Sequence, residues 1–190
     1  MTKKEAKQKI ADLVDHFKDN FDSYMAKTGD EGERQIEEYL ITPFFQALGW
    51  FDNPPGTPIE LRDVKFQASI SLKRGLDRGG KGKKKVDYAF RINGVNQFFI
   101  EAKIPSRDLK PKAGGKISQD TIESIWQAKT YGWSKDVPIV LLTDFEEFRV
   151  FNTIKKPNKK RYFEQVIEEL DIQYTDYVDK FDLIWDTFSK

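Results

Sequence analysis

Cysteine is absent from the 190 residues, so the chain forms neither disulfides nor thiolate metal sites. Histidine occurs once, at His16, inside a helical apolar pattern. With no second imidazole there is no histidine dyad, and a lone histidine without partners reads as an ordinary surface or boundary residue. Long hydrophobic runs are missing as well. The opening stretch MTKKEAKQKIADLVDHF holds no uninterrupted apolar segment of the signal-peptide kind, and no stretch approaches the roughly 20 apolar residues that cross a bilayer. A soluble, cytoplasmic protein without membrane contact is the expectation. Nor does one sign of charge prevail: 32 Lys and Arg stand against 31 Asp and Glu. An anionic partner must therefore be met by a local basic patch, since there is no global basic field.

Aromatic residues are plentiful, with 15 Phe among them, which is ample material for a packed interior. The length fits a single domain spanning 1–190. Residues 3–27 carry Ile10, Leu13, Val14, Phe17, Phe21, Tyr24 and Met25 at helical spacing, closed by Gly29. A second helix starts near Asp30, and Thr42-Pro43 reads as a fresh N-cap with proline at the first helical position. From Val64 to Lys73 apolar and polar residues alternate as in a strand with one buried face. Val86–Ile92 and Val95–Lys103 form two strands meeting at Asn93-Gly94. Asp120-x-x-Glu123 reads as a capping box opening a helix through Trp133. Pro138–Leu142 is a short buried strand, and Phe148 and Val150 mark another. Two further helices are expected after the basic loop Lys155–Arg161, the last carrying Val178, Phe181, Trp185 and Phe188. The sum is an α/β fold: a central mixed sheet flanked by helices, with a core of about 30–155, an N-terminal helix over 1–28 and C-terminal connector helices over 161–190.

Chemistry concentrates in the hairpin. Period two sets Tyr88, Phe90 and Ile92 on one face of its first strand and Phe98, Ile100 and Ala102 on one face of its second. If these apolar sets share the core side, Asp87, Glu101 and Lys103 share the other. A two-residue turn with regular pairing would instead put Asp87 opposite Ile100, because one register step flips every side chain. An odd-length connection is therefore expected, a type I turn with a bulge at Gly94. Two neighbouring carboxylates repel unless a cation lies between them, and Mg²⁺, or Mn²⁺ in its place, takes such oxygen ligands. A lysine beside them can hold or deprotonate an attacking water and counter charge in a phosphoryl transition state. On residues alone, a surface ion-pair cluster explains the pattern equally well.

Asp87…Glu101-Ala102-Lys103 resembles the active-site hairpin of PD-(D/E)XK nucleases, with Val86 at the usual proline. Further stretches resemble, in order, the nuclease domains of type IIG restriction–modification enzymes and type I restriction subunits: Gly32-Glu33-Arg34 through Ile41-Thr42-Pro43-Phe44, Ala47-Leu48-Gly49-Trp50, Gln127 through Tyr131, Pro138–Asp144 with Phe148–Phe151, and Tyr177 through Trp185. The resemblance implies a restriction-endonuclease-like fold and Mg²⁺-dependent hydrolysis of DNA phosphodiesters. It implies Asp87, Glu101 and the carbonyl of Ala102 as metal ligands, Lys103 at the water, and Glu33 as a supporting carboxylate. Gln127 and Tyr131, with the loop lysines Lys83, Lys84 and Lys85, would meet double-stranded DNA. Fused methyltransferase and target-recognition domains would complete the enzyme, and a transient dimer on DNA would cut both strands. The sequence departs from that pattern at Asp144-Phe145, where relatives carry asparagine-glycine, and at Gly32, where they often carry asparagine. Asn53-Pro54-Pro55 lacks the aromatic residue of an amino-methyltransferase motif at Gly56, and Gly114-Gly115-Lys116 lacks the rest of a P-loop. Two other readings stand beside this one: a nucleic-acid-binding module with a vestigial acidic site, and a stand-alone repair or junction nuclease.

Overall fold

The computed structural model describes residues 1–73, 84–110 and 117–190. Helices α1 (Lys3–Asp19), α2 (Phe21–Met25), α3 (Gly29–Ile36) and α4 (Thr42–Ala47) precede strands β1 (Val64–Ile70), β2 (Lys84–Ile92) and β3 (Val95–Ala102). Helix α5 (Gln119–Ser134), strands β4 (Ile139–Thr143), β5 (Glu147–Asn152) and β6 (Val166–Gln173), and helix α6 (Phe181–Phe188) follow. Among the described residues, six strands form one sheet in chain order. Only β3 and β4 run parallel, joined by α5, so the sheet is mixed and the class is α/β.

Both faces are covered. On one, Phe45 of α4 packs on Phe90 and Phe98, while Phe188 of α6 meets Phe98 and Phe148. The Trp50 indole closes this layer by donating to the carbonyl of Phe188 at 2.6 Å. On the other face α5 lies close, and Gly132 makes the approach possible: a Cβ there would sit 2.6 Å from Val140 and Thr153 side-chain atoms. Among the described residues, no helix is long and apolar enough to cross a membrane.

The structure corrects several local expectations. The first helix breaks at Asn20, whose side chain turns back onto the carbonyl of His16. Thr42 is not an N-cap: Glu37–Ile41 forms a π-helical turn that runs unbroken into α4, and the Thr42 hydroxyl instead bonds the Tyr88 hydroxyl at 3.1 Å. Helix α5 is capped by Ser118, which accepts the N–H of Thr121, so Asp120 and Glu123 are not its capping box. Residues 161–190 are not all helix, because Val166–Gln173 adds a sixth strand beside β5.

The hairpin turn also differs. Ile92 pairs with Val95, and Asn93 and Gly94 both have positive φ, 51° and 79°, giving a two-residue primed turn with no bulge at Gly94. The odd residue lies further along. Arg91 pairs with Asn96 but Phe90 pairs with Phe98, so Gln97 is the bulge. Ile92, placed on the core face by alternation, is 43% exposed at the hairpin tip.

Candidate active site

Beyond the Gln97 bulge the register Tyr88–Ile100, carried one step on, sets Asp87 opposite Glu101. Asp87 accepts the backbone N–H of Ala102 through Oδ2 at 2.8 Å and the Gln67 side-chain amide through Oδ1 at 2.9 Å. Glu101 faces α5, and Lys103 reaches Glu33 of α3. Lys103 Nζ lies 3.0 Å from Glu101 Oε1 and 3.5 Å from Glu33 Oε1, and it also donates to the carbonyl of Ala102. Gln127 donates to Glu101 Oε1 at 2.5 Å from the facing helix. The sheet thus brings together Asp87, Glu101, Ala102 and Lys103, and the helices add Glu33 and Gln127.

Sequence reasoning missed Glu37. It lies one turn after Glu33, a spacing that puts both on one helical face, and ligand atoms of Glu33, Glu37 and Asp87 lie within 4.8 Å of one another. With Asp30, Arg34 and Gln67 they line an open cleft of about 430 Å³. Gln67 was missed too, because the alternation of β1 marks it only as a polar-face residue.

Four carboxylates converge here on one ammonium, and burial makes that costly. Glu101 is 3% exposed. Burial first, then the charge of Asp87, pushes its carboxyl up to about 8, against the pull of Lys103. Glu37 is raised to about 7 by burial and by the charges of Asp87 and Glu33, and Glu33 is raised by burial. Burial pulls Lys103 down, but Glu101, Glu33 and Asp87 outweigh it and hold the ammonium above its ordinary value. Buried charge of one sign in such excess calls for protons or a cation. Glu101 Oε2 is buried with no hydrogen-bond partner among the described residues. An orphaned carboxylate oxygen beside further hard-oxygen donors fits a divalent ion of the Mg²⁺ or Mn²⁺ type.

The other candidates fall at varied distance from this cluster. Tyr131 is buried on α5, its hydroxyl raised by burial and by the charges of Glu101 and Asp87. Lys84 and Lys85 are exposed at the start of β2, and Lys84 shares with Gln127, Trp126 and Tyr131 a second cleft of about 130 Å³. Lys83 lies outside the described residues. Asp144, at the departure from asparagine-glycine, is buried and accepts the N–H of Glu147 at 2.7 Å, which makes it a turn residue. Phe145 takes the left-handed conformation there, with φ 72°, and packs on Phe17, Phe44 and Tyr177.

The chain is 29% identical over 179 residues to the type II restriction enzyme and methyltransferase RM.Eco57I of Escherichia coli. The match takes in 94% of this chain but 16% of that enzyme, so the chain spans about one sixth of its relative's length. No family model matches the chain. No solved structure matches it.

Proposed function

We propose that this chain is the DNA-cleaving part of a restriction–modification enzyme, a PD-(D/E)XK nuclease domain that hydrolyses phosphodiesters with Mg²⁺. The observation that carries the reading is the convergence of Asp87, Glu101 and Lys103 at one end of the β2–β3 pair, with Glu33 and Glu37 closing an open acidic cleft. The similarity over most of the chain to a restriction enzyme and methyltransferase supports it.

Asp87 and Glu101 would hold the ion, joined by the Ala102 carbonyl once Lys103 turns from it, with Glu33 and Glu37 beside them. The ion supplies charge neutralisation at the phosphate and a more acidic water. Lys103, kept protonated by its carboxylates, orients the attacking water and offsets charge on the phosphoryl oxygens. Gln127 donates to the same Glu101 oxygen that Lys103 meets and helps fix the carboxylate, as outer-shell partners of metal ligands do. Lys84 and Lys85, exposed beside the Gln127–Tyr131 cleft, meet backbone phosphates and position the strand without reading its sequence. Double-stranded DNA is the substrate. Base recognition and methylation belong to other domains of the fused enzyme, and cleavage of both strands calls for two copies meeting on the DNA.

Supercoiled plasmid incubated with the purified protein tests the reading. Nicking is expected with Mg²⁺ or Mn²⁺, none with EDTA, and none from Lys103→Ala or Asp87→Asn. Undiminished cleavage by Asp87→Asn would sink the assignment. Absence of Mn²⁺ binding by the unmutated protein would favour a binding module with a vestigial site.

A further inference from the structure

Of the six non-glycine residues with positive φ among the described residues, Phe51, Asn93, Asp136, Phe145 and Gln165 sit in turns or connections. Gln67 alone lies inside a strand, with φ 47° in the middle of β1. The ladder shows the consequence: Phe66 pairs with Tyr88 and Ala68 with Val86, while Gln67 between them drops out without changing the register. A left-handed conformation costs an L side chain energy, and a glutamine gains nothing locally to offset it. Such a kink persists only where something else holds it.

What holds it points at the acidic cleft. The Gln67 amide nitrogen donates to Asp87 Oδ1 at 2.9 Å. A carboxylate only accepts, so the nitrogen must be the atom that faces Asp87. With Oδ2 taken by the Ala102 N–H, each Asp87 oxygen has one donor from a different strand, β1 on one side and β3 on the other. The ladder on either side of the kink puts position 67 directly across from Asp87, so the Gln67 amide meets that carboxylate as a cross-strand neighbour.

We infer that Gln67 is a positioning residue: from a strained point in β1 its amide holds the Asp87 carboxylate in the orientation in which it serves the cleft. This rests on the nuclease reading given above for its function, but not for its geometry. Two substitutions separate the parts. Gln67→Met keeps length and strain and removes the donor; Gln67→Gly removes donor and strain together.

Two measurements on the purified protein decide. The first, without metal, is amide hydrogen exchange at Ala102, whose N–H depends on Asp87 staying in place. Both variants are expected to exchange at least about ten-fold faster there, with Ile100 and Phe99 unchanged. The second is Mn²⁺ affinity, expected to fall about ten-fold in both, the usual size for loss of a group that orients a ligand. Thermal melts should place the glycine variant above the methionine variant, because only glycine relaxes at this φ. Unaltered Ala102 exchange in both variants overturns the proposal, as does a glycine variant that melts below the methionine one. If the unmutated protein binds no Mn²⁺ while Ala102 exchange still responds, the nuclease reading fails and the positioning role of Gln67 stands.

Discussion

Asp87 accepts the backbone N–H of Ala102 across the strand gap at 2.8 Å, which ties the acid of β2 to the Glu101–Lys103 segment of β3. The bond exists because the ladder skips Gln97. With a two-residue turn and no bulge, Asp87 would stand opposite Ile100 and its carboxylate would face the aromatic layer of Phe45 and Phe188. The bulge absorbs one residue and restores the parity. Deleting Gln97 should therefore regularise the ladder while keeping Phe98 opposite Phe90 and Asp87 opposite Glu101. The expected outcome is a folded protein whose Mn²⁺ affinity stays within about two-fold of the parent, as befits a surplus ladder residue. Loss of metal binding in the deletion, measured by calorimetry, would contradict this account of the register.

Among the described residues Lys103 is the ammonium held against the cluster, at 3.0 Å from Glu101 and 3.5 Å from Glu33. Lys103→Met removes the counter-charge of a buried carboxyl whose ionisation is already pushed up to about 8. Near pH 9 Glu101 is ionised, and without its ammonium the carboxyl must take up a proton, about one unit above its value, so the extra loss there should be about 1 kcal/mol. Near pH 6 Glu101 keeps its proton and the loss should be much smaller. Urea melts at the two pH values check this. A penalty independent of pH would show that Glu101 and Lys103 are not coupled in this way.

Glu37 makes a contrasting case. Its carboxyl sits beside those of Asp87 and Glu33 with burial against it. Glu37→Gln removes one repelling charge, so the metal-free protein should become more stable near pH 8, by about 1 kcal/mol or somewhat more. The same substitution should weaken Mg²⁺ binding about ten-fold. Stability and affinity moving in opposite directions identify a residue kept for the ion. Unchanged Mg²⁺ affinity by calorimetry would remove Glu37 from the site.

The β2–β3 face assignment was legible because apolar residues at Tyr88, Phe90, Phe98 and Ile100 leave only one side for Asp87, Glu101 and Lys103. Where parity was corrected was not legible, since Gln97 is as ordinary a strand residue as its neighbours and the Asn93-Gly94 signal belongs to the turn alone. Strand β6 escaped notice because Val166 and Ile167 stand side by side and Glu168-Glu169 follow, which breaks period two. The register shift between Arg149 and Phe151 explains that disturbance: the Arg149–Asp171 ion pair at 3.1 Å fixes one end of β6 while the other end slips. Glu37 could have been found from its four-residue spacing to Glu33. The π-helical turn that begins at Glu37 could not, because it is set by how Leu40 and Ile41 bury and by Pro43 lacking an N–H.

Protonation gives the most discriminating test of the ion. Glu37 at about 7 and Glu101 at about 8 both lie above the ordinary value of 4.5, with burial as the first cause. A folded carboxyl with a raised value holds its proton more tightly than the unfolded chain does. Its contribution to stability is therefore complete below about pH 4.5 and is lost as pH rises through 7 to 8. Asp144, also raised by burial, acts with the same sign but stands in the β4–β5 turn. Lys129, held down at about 8 by burial, acts with the opposite sign and only above that pH. A divalent ion held by the ionised carboxylates would stabilise the folded state by RT ln(1 + c/Kd) at free ion concentration c. Saturating Mg²⁺ should therefore raise the melting temperature very little near pH 5.5 and by several degrees near pH 8, with protons released on binding. Calorimetry in two buffers of different ionisation enthalpy counts those protons. A Mg²⁺ effect equal at both pH values, or binding without proton release near pH 7, would mean that the ion does not meet Glu37 and Glu101.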